Sequence, residues 1–443
     1  SSTDQTMIDI VDYSPDAPLP PKLADILGRQ AGIPEEIEEA VRDIISDVRR
    51  DGDAALVRFS ERFDGVVLSP EQFLLPPAQL QDALQASESD LVEAINAAAA
   101  NIRAFHERQR INSWFMEDGD SVVLGKKVTP IRRVGICVPG GAAPLISSLL
   151  MAVVPAQVAG VEEICIVTPP QENGLPHPDL LATAALLGVA EVYALGGAHA
   201  VAALAYGTDS IRSVDKIVGP GGPYTVAAKR QVYGVVGIEM VPGPSEIVVL
   251  ADAAADPSFV AADLLSQAEH GTGLEASICI TNSASVAAAV QREVETQAAE
   301  LPRHELIEAA LTRFGAIVCV SDLDVGVDLV NRLAPEHLEL LVDEPWAWLS
   351  KIRDAGAVFL GEAATEPVGD YYAGTNHVLP TNGAARFASS LGLSDFVKTS
   401  SIVAYSRQRL EKTGDHITRL ARAEGFEAHA RAVEVRLERW RKS

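Results

Sequence analysis

Arg133-Val134-Gly135-Ile136-Cys137-Val138-Pro139-Gly140-Gly141 decides the fold. A short apolar run stops at a proline and two glycines, and a helical pattern starts at Leu145. A strand that is apolar on both faces belongs inside a parallel sheet covered by helices on both sides. The unit recurs. Glu163 to Thr168 predicts a strand, followed by a helix near Asp179 to Leu187. Glu191 to Ala194 leads into Gly196-Gly197 and a helix from Ala198, and Lys216 to Val218 into Gly219-Pro220-Gly221-Gly222 and a helix from Tyr224.

Further strands are predicted at Glu246 to Ala251, Ser277 to Thr281, Ala316 to Val320, His337 to Val342 and Ala357 to Leu360. Helices are predicted at Pro257 to Ala268 and Ala284 to Leu301. Upstream, Pro34 to Phe63 reads as helical, Pro77 to Gln109 as one long helix, and Trp114 to Lys127 as a hairpin or loop. After Ser390 the chain turns helical again and ends in an amphipathic helix from Asp415 to Trp440.

The fold class is therefore α/β, with two incomplete Rossmann-like parallel-sheet domains, one inserted in the other. Residues 1–34 read as an irregular extension. Residues 35–130 plus 246–388 read as a large domain onto which the early helices pack. Residues 131–245 read as an inserted nucleotide-binding domain, and 389–443 as a helical tail.

The 443 residues carry 47% apolar side chains, enough for roughly two to four packed domains. No apolar run approaches the roughly 20 residues of a membrane helix. A net charge of −25 argues against nucleic acid and anionic membranes as partners. Ser1 to Asp16 is polar and acidic, unlike a secretory leader. Cys137, Cys165, Cys279 and Cys319 each sit in an apolar run without CxxC spacing. They read as strand cysteines in a reducing cytoplasm rather than disulfides or a thiolate metal site.

Four segments carry candidate chemistry. Gly369-Asp370-Tyr371-Tyr372-Ala373-Gly374-Thr375-Asn376-His377-Val378-Leu379-Pro380-Thr381 places a carboxylate, an amide and an imidazole between glycines and a proline, and reads as an ordered loop. Gln267 and His270, three apart, share one helix face before Gly271. They could share a metal or form a helix-end hydrogen bond. Glu336-His337 precedes a strand: an acid–base pair, or a capping Glu beside a packed His. Glu424 and His429 flank Gly425 on the tail, either around a close contact or on solvated faces. The glycine turns offer backbone N–H groups to a phosphate, or are simply tight strand-to-helix turns.

In this order and spacing, these segments resemble the histidinol dehydrogenase family from near Pro34 to Trp440. The motifs are Leu265-Ser266-Gln267-Ala268-Glu269-His270-Gly271, Pro335-Glu336-His337-Leu338, Gly369-Asp370-Tyr371 with Gly374 to Thr381, and Glu424 with His429. The resemblance implies oxidation of L-histidinol through L-histidinal to L-histidine, with one zinc ion per subunit and two NAD⁺ used in sequence. It implies zinc held by Gln267, His270, Asp370 and His429. His429 would come from the partner in a homodimer with intertwined tails, to which the N- and C-terminal extensions contribute. Glu336 and His337 would be the acid–base pair. Substrate contacts would come from Ser245, Gln267, His270, His337, Asp370, His377, Glu424 and His429. The cofactor would lie on Cys137, Gly140, Gly141, His199, Gly221 and Gly222.

The chain departs from the family pattern at three of these last positions. Cys137 stands for a tyrosine, His199 for a glutamine and Gly222 for an asparagine. Two other readings stay open: oxidation of a different small polar alcohol, and a zinc-stabilised dimer that binds a ligand without redox chemistry.

Overall fold

The computed structural model describes residues 6–29, 32–140 and 143–442. Two parallel sheets organise it. The large sheet has six strands, in the order Asp9–Asp12, Gly315–Cys319, Ala276–Thr281, Glu246–Ala251, His337–Leu341 and Ala357–Leu360, every neighbouring pair parallel. The small sheet has five, in the order Glu191–Ala194, Glu163–Thr168, Arg133–Cys137, Lys216–Val218 and Gly237–Ile238, again parallel. Central strands such as Arg133–Cys137 and Glu246–Ala251 are buried at every position, which explains their unbroken apolar runs. A third sheet is antiparallel, in the order Val397–Ala404, Val123–Pro130, Trp114–Glu117.

Helix ends follow local chemistry. The Pro257–Ala268 helix starts where the Asp256 carboxylate accepts the Ser258 N–H at 2.8 Å and Pro257 supplies a preset φ. At Ala423 the helix Arg407–Ala423 stops because Gly425 takes φ +80° and the Phe426 N–H closes onto the Ala421 carbonyl.

Several expectations are corrected. Residues 1–34 are not merely an irregular extension. Asp9–Asp12 is an edge strand of the large sheet, and the Pro21–Leu27 helix buries Leu23 and Ile26 against that sheet's core. The long helices from Glu35 to Glu107 do not pack on the large sheet. Val41, Ile44, Val48, Leu56, Phe59 and Leu80 join one core with Val134, Cys165 and Leu204 of the small-sheet unit. An amphipathic stripe says that a helix is covered, but not by which sheet.

The single helix expected over Pro77 to Gln109 is two, Pro77–Ala86 and Ser89–Glu107, broken where Ser87 turns extended. After Ser390 the chain forms the strand Val397–Ala404 before any long helix. The helix expected over Asp415 to Trp440 is a hairpin of Arg407–Ala423 and Glu427–Arg441. Gly425 makes that turn, and a Cβ there would meet nothing within 4 Å, so φ rather than close packing calls for glycine. Gly369 to Tyr371 is not loop but the end of a short helix, Glu366–Tyr371.

Candidate active site

A cavity of about 320 Å³ lies between the two sheet units. The large-sheet side contributes Ser245, His270, Glu336, His337, Glu366 and Asp370. The small-sheet side contributes Ser148, Gly219, Pro220, Gly221 and Glu239, and His377 closes the wall. Six residues expected from sequence therefore meet here: Ser245, His270, Glu336, His337, Asp370 and His377.

Glu246 organises Glu336 and His337. Its backbone N–H donates to the Glu336 carboxylate at 2.9 Å, and its own carboxylate accepts the Glu336 N–H at 3.2 Å and the Asn382 N–H at 3.1 Å. Arg29, buried, pairs with that carboxylate at 2.5 Å. The Glu246 carbonyl oxygen lies 3.1 Å from His337 Nδ1. A carbonyl can only accept, so Nδ1 carries the hydrogen and Nε2 is left toward the cavity. There it is 3.7 Å from Asp370 and 3.8 Å from Glu366.

Charge is concentrated around this imidazole. Burial alone would push His337 down, but the Glu336, Asp370 and Glu366 carboxylates outweigh it and raise the group to about 10. Burial raises Glu336 to about 7, and the neighbouring imidazolium only partly offsets it. Burial likewise raises Glu366. Behind Glu366, its N–H donates to Glu339 at 2.9 Å, and Thr365 Oγ1 donates to Asp263 at 2.6 Å. Burial raises Glu339 further, reinforced by a hydrogen bond with Asp263 that a protonated carboxyl donates.

Buried Gln267 Oε1, His337 Nε2 and both Glu366 oxygens have no hydrogen-bond partners, and of these residues His337 and Glu366 line the cavity. Among the described residues, ligating atoms of His337, Glu366 and Asp370 gather within 4.8 Å. That cluster shares only Asp370 with the four-residue metal set expected from sequence. Gln267 and His270 are nonetheless prepared as ligands. His270 Nδ1 lies 3.0 Å from the Gln267 backbone carbonyl and 3.3 Å from Gln267 Nε2, so both contacts fall on Nδ1 and leave His270 Nε2 and Gln267 Oε1 without partners. Orphaned oxygen and nitrogen acceptors beside a carboxylate suit a divalent cation. His377 sits against the same loop, with Nδ1 donating to the Asp370 carbonyl at 2.9 Å and Nε2 at 3.4 Å from Ser148 Oγ.

Glu424 and His429 are not in this cavity. Both are exposed on the tail hairpin, where the His429 ring lies 5.2 Å from the Phe426 ring, tilted by 37°.

A second cavity, of about 200 Å³, opens at the C-terminal edge of the small sheet. Cys137, Gly140, Gly196, Gly197, Pro220, Gly221, Gly222 and Thr225 line it. A Cβ at Gly196 would sit 2.7 Å from the Pro169 ring, and one at Gly221 would sit 2.4 Å from the Thr225 side chain. The glycines are thus what keeps this cradle open. The helices Gly197–Tyr206 and Pro223–Val232 start at its rim, and buried Thr168 Oγ1 has no hydrogen-bond partner. Free N–H groups at helix starts suit phosphate oxygens, so the cradle fits a dinucleotide.

Gly141 lies outside the described residues. His199 does not line the cradle. It is buried against the Phe59 and Phe63 rings, at 5.9 and 6.0 Å, and burial lowers it to about 4. Two residues into the helix Gly197–Tyr206, its side chain turns toward Phe59 and Phe63 of the helix Asp53–Asp64. Cys137 does line the cradle, with its thiol pushed up to about 12 by burial.

Sequence reading missed Glu246, Glu339 and Glu366. Two had a visible signal. Glu366 and Asp370, four apart, share a helix face, and Glu339 shares a strand face with His337.

A family model described as histidinol dehydrogenase matches residues 28–437. This chain belongs to the histidinol dehydrogenase family. The histidinol dehydrogenase of Geobacillus kaustophilus is 53% identical over 91% of this chain and 95% of its own. That of Bacillus subtilis is 48% identical over 91% and 94%. A crystal structure of histidinol dehydrogenase from Elizabethkingia anophelis superposes with a TM-score of 0.92 at 35% identity, covering 99% of this chain and 100% of the other. Family membership makes this chain a dehydrogenase, with a small-molecule substrate and a dehydrogenase cofactor. No helix among the described residues is long and apolar enough to cross a membrane.

Proposed function

We propose that this chain oxidises L-histidinol to L-histidine through L-histidinal, the last steps of histidine biosynthesis, using zinc and two NAD⁺ in turn. The observation that carries the reading is one cavity holding Ser245, His270, Glu336, His337, Asp370 and His377, separated by a shared wall from a glycine-lined cradle. The family's name points to histidinol.

Gln267, His270 and Asp370 would hold the metal, with His429 from a second copy of the chain as the fourth ligand. Cys137, Gly140, Gly221 and Gly222 would line the dinucleotide. When bound, the metal supplies Lewis-acid polarisation of the substrate and the nicotinamide supplies the hydride acceptor.

The chain's own residues move the protons. His337 keeps Nδ1–H on the Glu246 carbonyl and presents Nε2 to the substrate hydroxyl as base. The carboxylate field that holds this imidazole protonated is offset once Asp370 binds a cation. Glu336 then deprotonates the water that adds to the aldehyde. Burial has raised its carboxyl to about 7, where it can exchange a proton near neutral pH. Ser245 and His377 orient the substrate, and Glu424 of a second copy completes the contact.

The tail supports the two-copy arrangement. Leu420, Phe426 and Val435 on the hairpin are exposed, as are Trp114, Phe115 and Met116 on the antiparallel sheet. Apolar surface of this kind is usual where another chain docks. The four cysteines, free of disulfides, fit a reducing cytoplasm.

The test is absorbance of NADH with L-histidinol, NAD⁺ and zinc. Two NADH per histidinol, abolished by a chelator, are expected; one NADH, or none, sinks the four-electron reading. For the dimer, His429→Ala and His337→Ala chains are each inactive alone and should regain activity when mixed. No recovery in verified heterodimers removes His429 from the partner's site.

A further inference from the structure

Gly219, Pro220 and Gly221 form the wall between the two cavities. Pro220 and Gly221 line both, and Gly219 lines the larger. Whatever sits in the cradle meets whatever sits in the larger cavity across these three residues. Their backbone must therefore be held to a fraction of an ångström, because a misplacement of about 1 Å can cost about 10²-fold in rate. Glycine and proline have no polar side chains with which to hold themselves.

A buried ion pair holds them instead. Lys229, on the second turn of the Pro223–Val232 helix, and Glu239, just past the strand Gly237–Ile238, both have almost wholly buried side chains and pair directly. Each also takes one side of Gly219. Glu239 Oε2 accepts the Gly219 N–H at 2.6 Å, and Lys229 Nζ donates to the Gly219 carbonyl at 2.8 Å. Gly219 itself is at φ +117°, and a Cβ there would lie 2.1 Å from the Cys137 carbonyl oxygen. The peptide is thus pressed against the neighbouring strand and gripped at both polar groups.

This pair is an unusual choice for mere stability. Burying two charges costs desolvation that their attraction only partly returns, and apolar replacements are often no less stable. What apolar side chains cannot do is grip a backbone N–H and C=O.

We propose that Lys229 and Glu239 are positioning residues that set the wall between cofactor and substrate, and with it the alignment of hydride transfer. The inference rests on the reading of the two cavities as cofactor and substrate sites.

The test uses the zinc-loaded dimer and three readouts: thermal midpoint, NAD⁺ Kd by titration, and the primary deuterium isotope effect with histidinol deuterated at its reacting carbon. Lys229→Met/Glu239→Leu should keep the midpoint, raise the NAD⁺ Kd about tenfold and slow hydride transfer about 10²-fold, with the isotope effect rising toward its full value. Glu239→Gln, which keeps an oxygen for the Gly219 N–H, should fall between the double variant and the unaltered chain.

A double variant with unaltered Kd and isotope effect would overturn the proposal and leave the pair structural. If the double variant does not fold, Glu239→Gln decides alone: unchanged Kd and isotope effect again overturn it. An unaltered chain that binds no NAD⁺ sinks the functional reading as well, so the two failures are distinguishable.

Discussion

The two parallel sheets present opposite edges to the cavities, and with opposite chemistry. The small sheet offers the C-terminal edge of its strands, where Cys137, Gly140, Gly196 and Gly221 leave mostly backbone exposed. The large sheet offers its N-terminal edge, where Glu246, Glu336 and His337 crowd titratable groups at the starts of strands. Helix N-termini and open backbone suit an anion that must be held but not transformed. Carboxylates and imidazoles with shifted proton affinities suit bonds that must break. Ligands at the C-terminal edge of a parallel sheet are the usual α/β rule, and here it describes the binding half but not the reacting half.

The sharpest way to break this contrast is His337→Ala. Turnover should fall about 10²–10⁴-fold while bound zinc is unchanged. A rate near that of the unaltered chain would show that the titratable edge is not the reacting one.

On the glycine edge, Gly219→Ala should cost about 2–4 kcal/mol of stability in urea titration, since the new Cβ meets the Cys137 carbonyl and φ is left-handed. A loss below about 0.5 kcal/mol would mean the backbone there is free to shift.

His199 gives a pH-dependent effect of similar or smaller size. Its folded value is about 4, below the ordinary 6.5, so on acidification the unfolded chain takes the proton first. Its contribution is complete above about pH 6.5 and is lost as pH falls toward 4, by up to about 3 kcal/mol. His199→Gln should flatten that part of the stability profile. An unchanged profile would place a partner on the ring.

The smallest effect is at Cys137. A thiol pushed up to about 12 should resist alkylation at pH 8 in the folded protein, and mass spectrometry after brief iodoacetamide treatment should find it unmodified. Rapid labelling would show that the cradle is more open than drawn here.

The two edges were also unequally legible. Each glycine turn after an apolar run announced a strand-to-helix junction, because only backbone sterics were needed to read it. Glu336-His337 was legible as adjacent ionisable groups before a strand. Glu366 carried only its spacing from Asp370, because its other neighbours come from separate segments around residues 263 and 337. The strand Asp9–Asp12 escaped for a related reason: four residues ahead of a proline-rich stretch carry no period, and its partner lies about 300 positions away. His199 was placed in the cradle by sequence position alone, while its helix turned it inward. The tail hairpin hinged on Gly425, whose left-handed φ marks a stop as readily as a tolerated interior glycine.

The Arg29–Glu246 contact bears on the order in which the molecule is made. Its partners are separated by 217 residues, and the strand Asp9–Asp12 waits for Gly315–Cys319. During synthesis the small-sheet unit, with its largely self-contained core, can close while the first segment remains unpaired. The acid–base pair, locked by Glu246, is completed only when both distant segments have docked. Long loop closure is slow. A newly made chain is therefore able to form its cradle well before Arg29 and Glu246 fix Glu336 and His337, and that edge of the large sheet is the last part of the fold to mature.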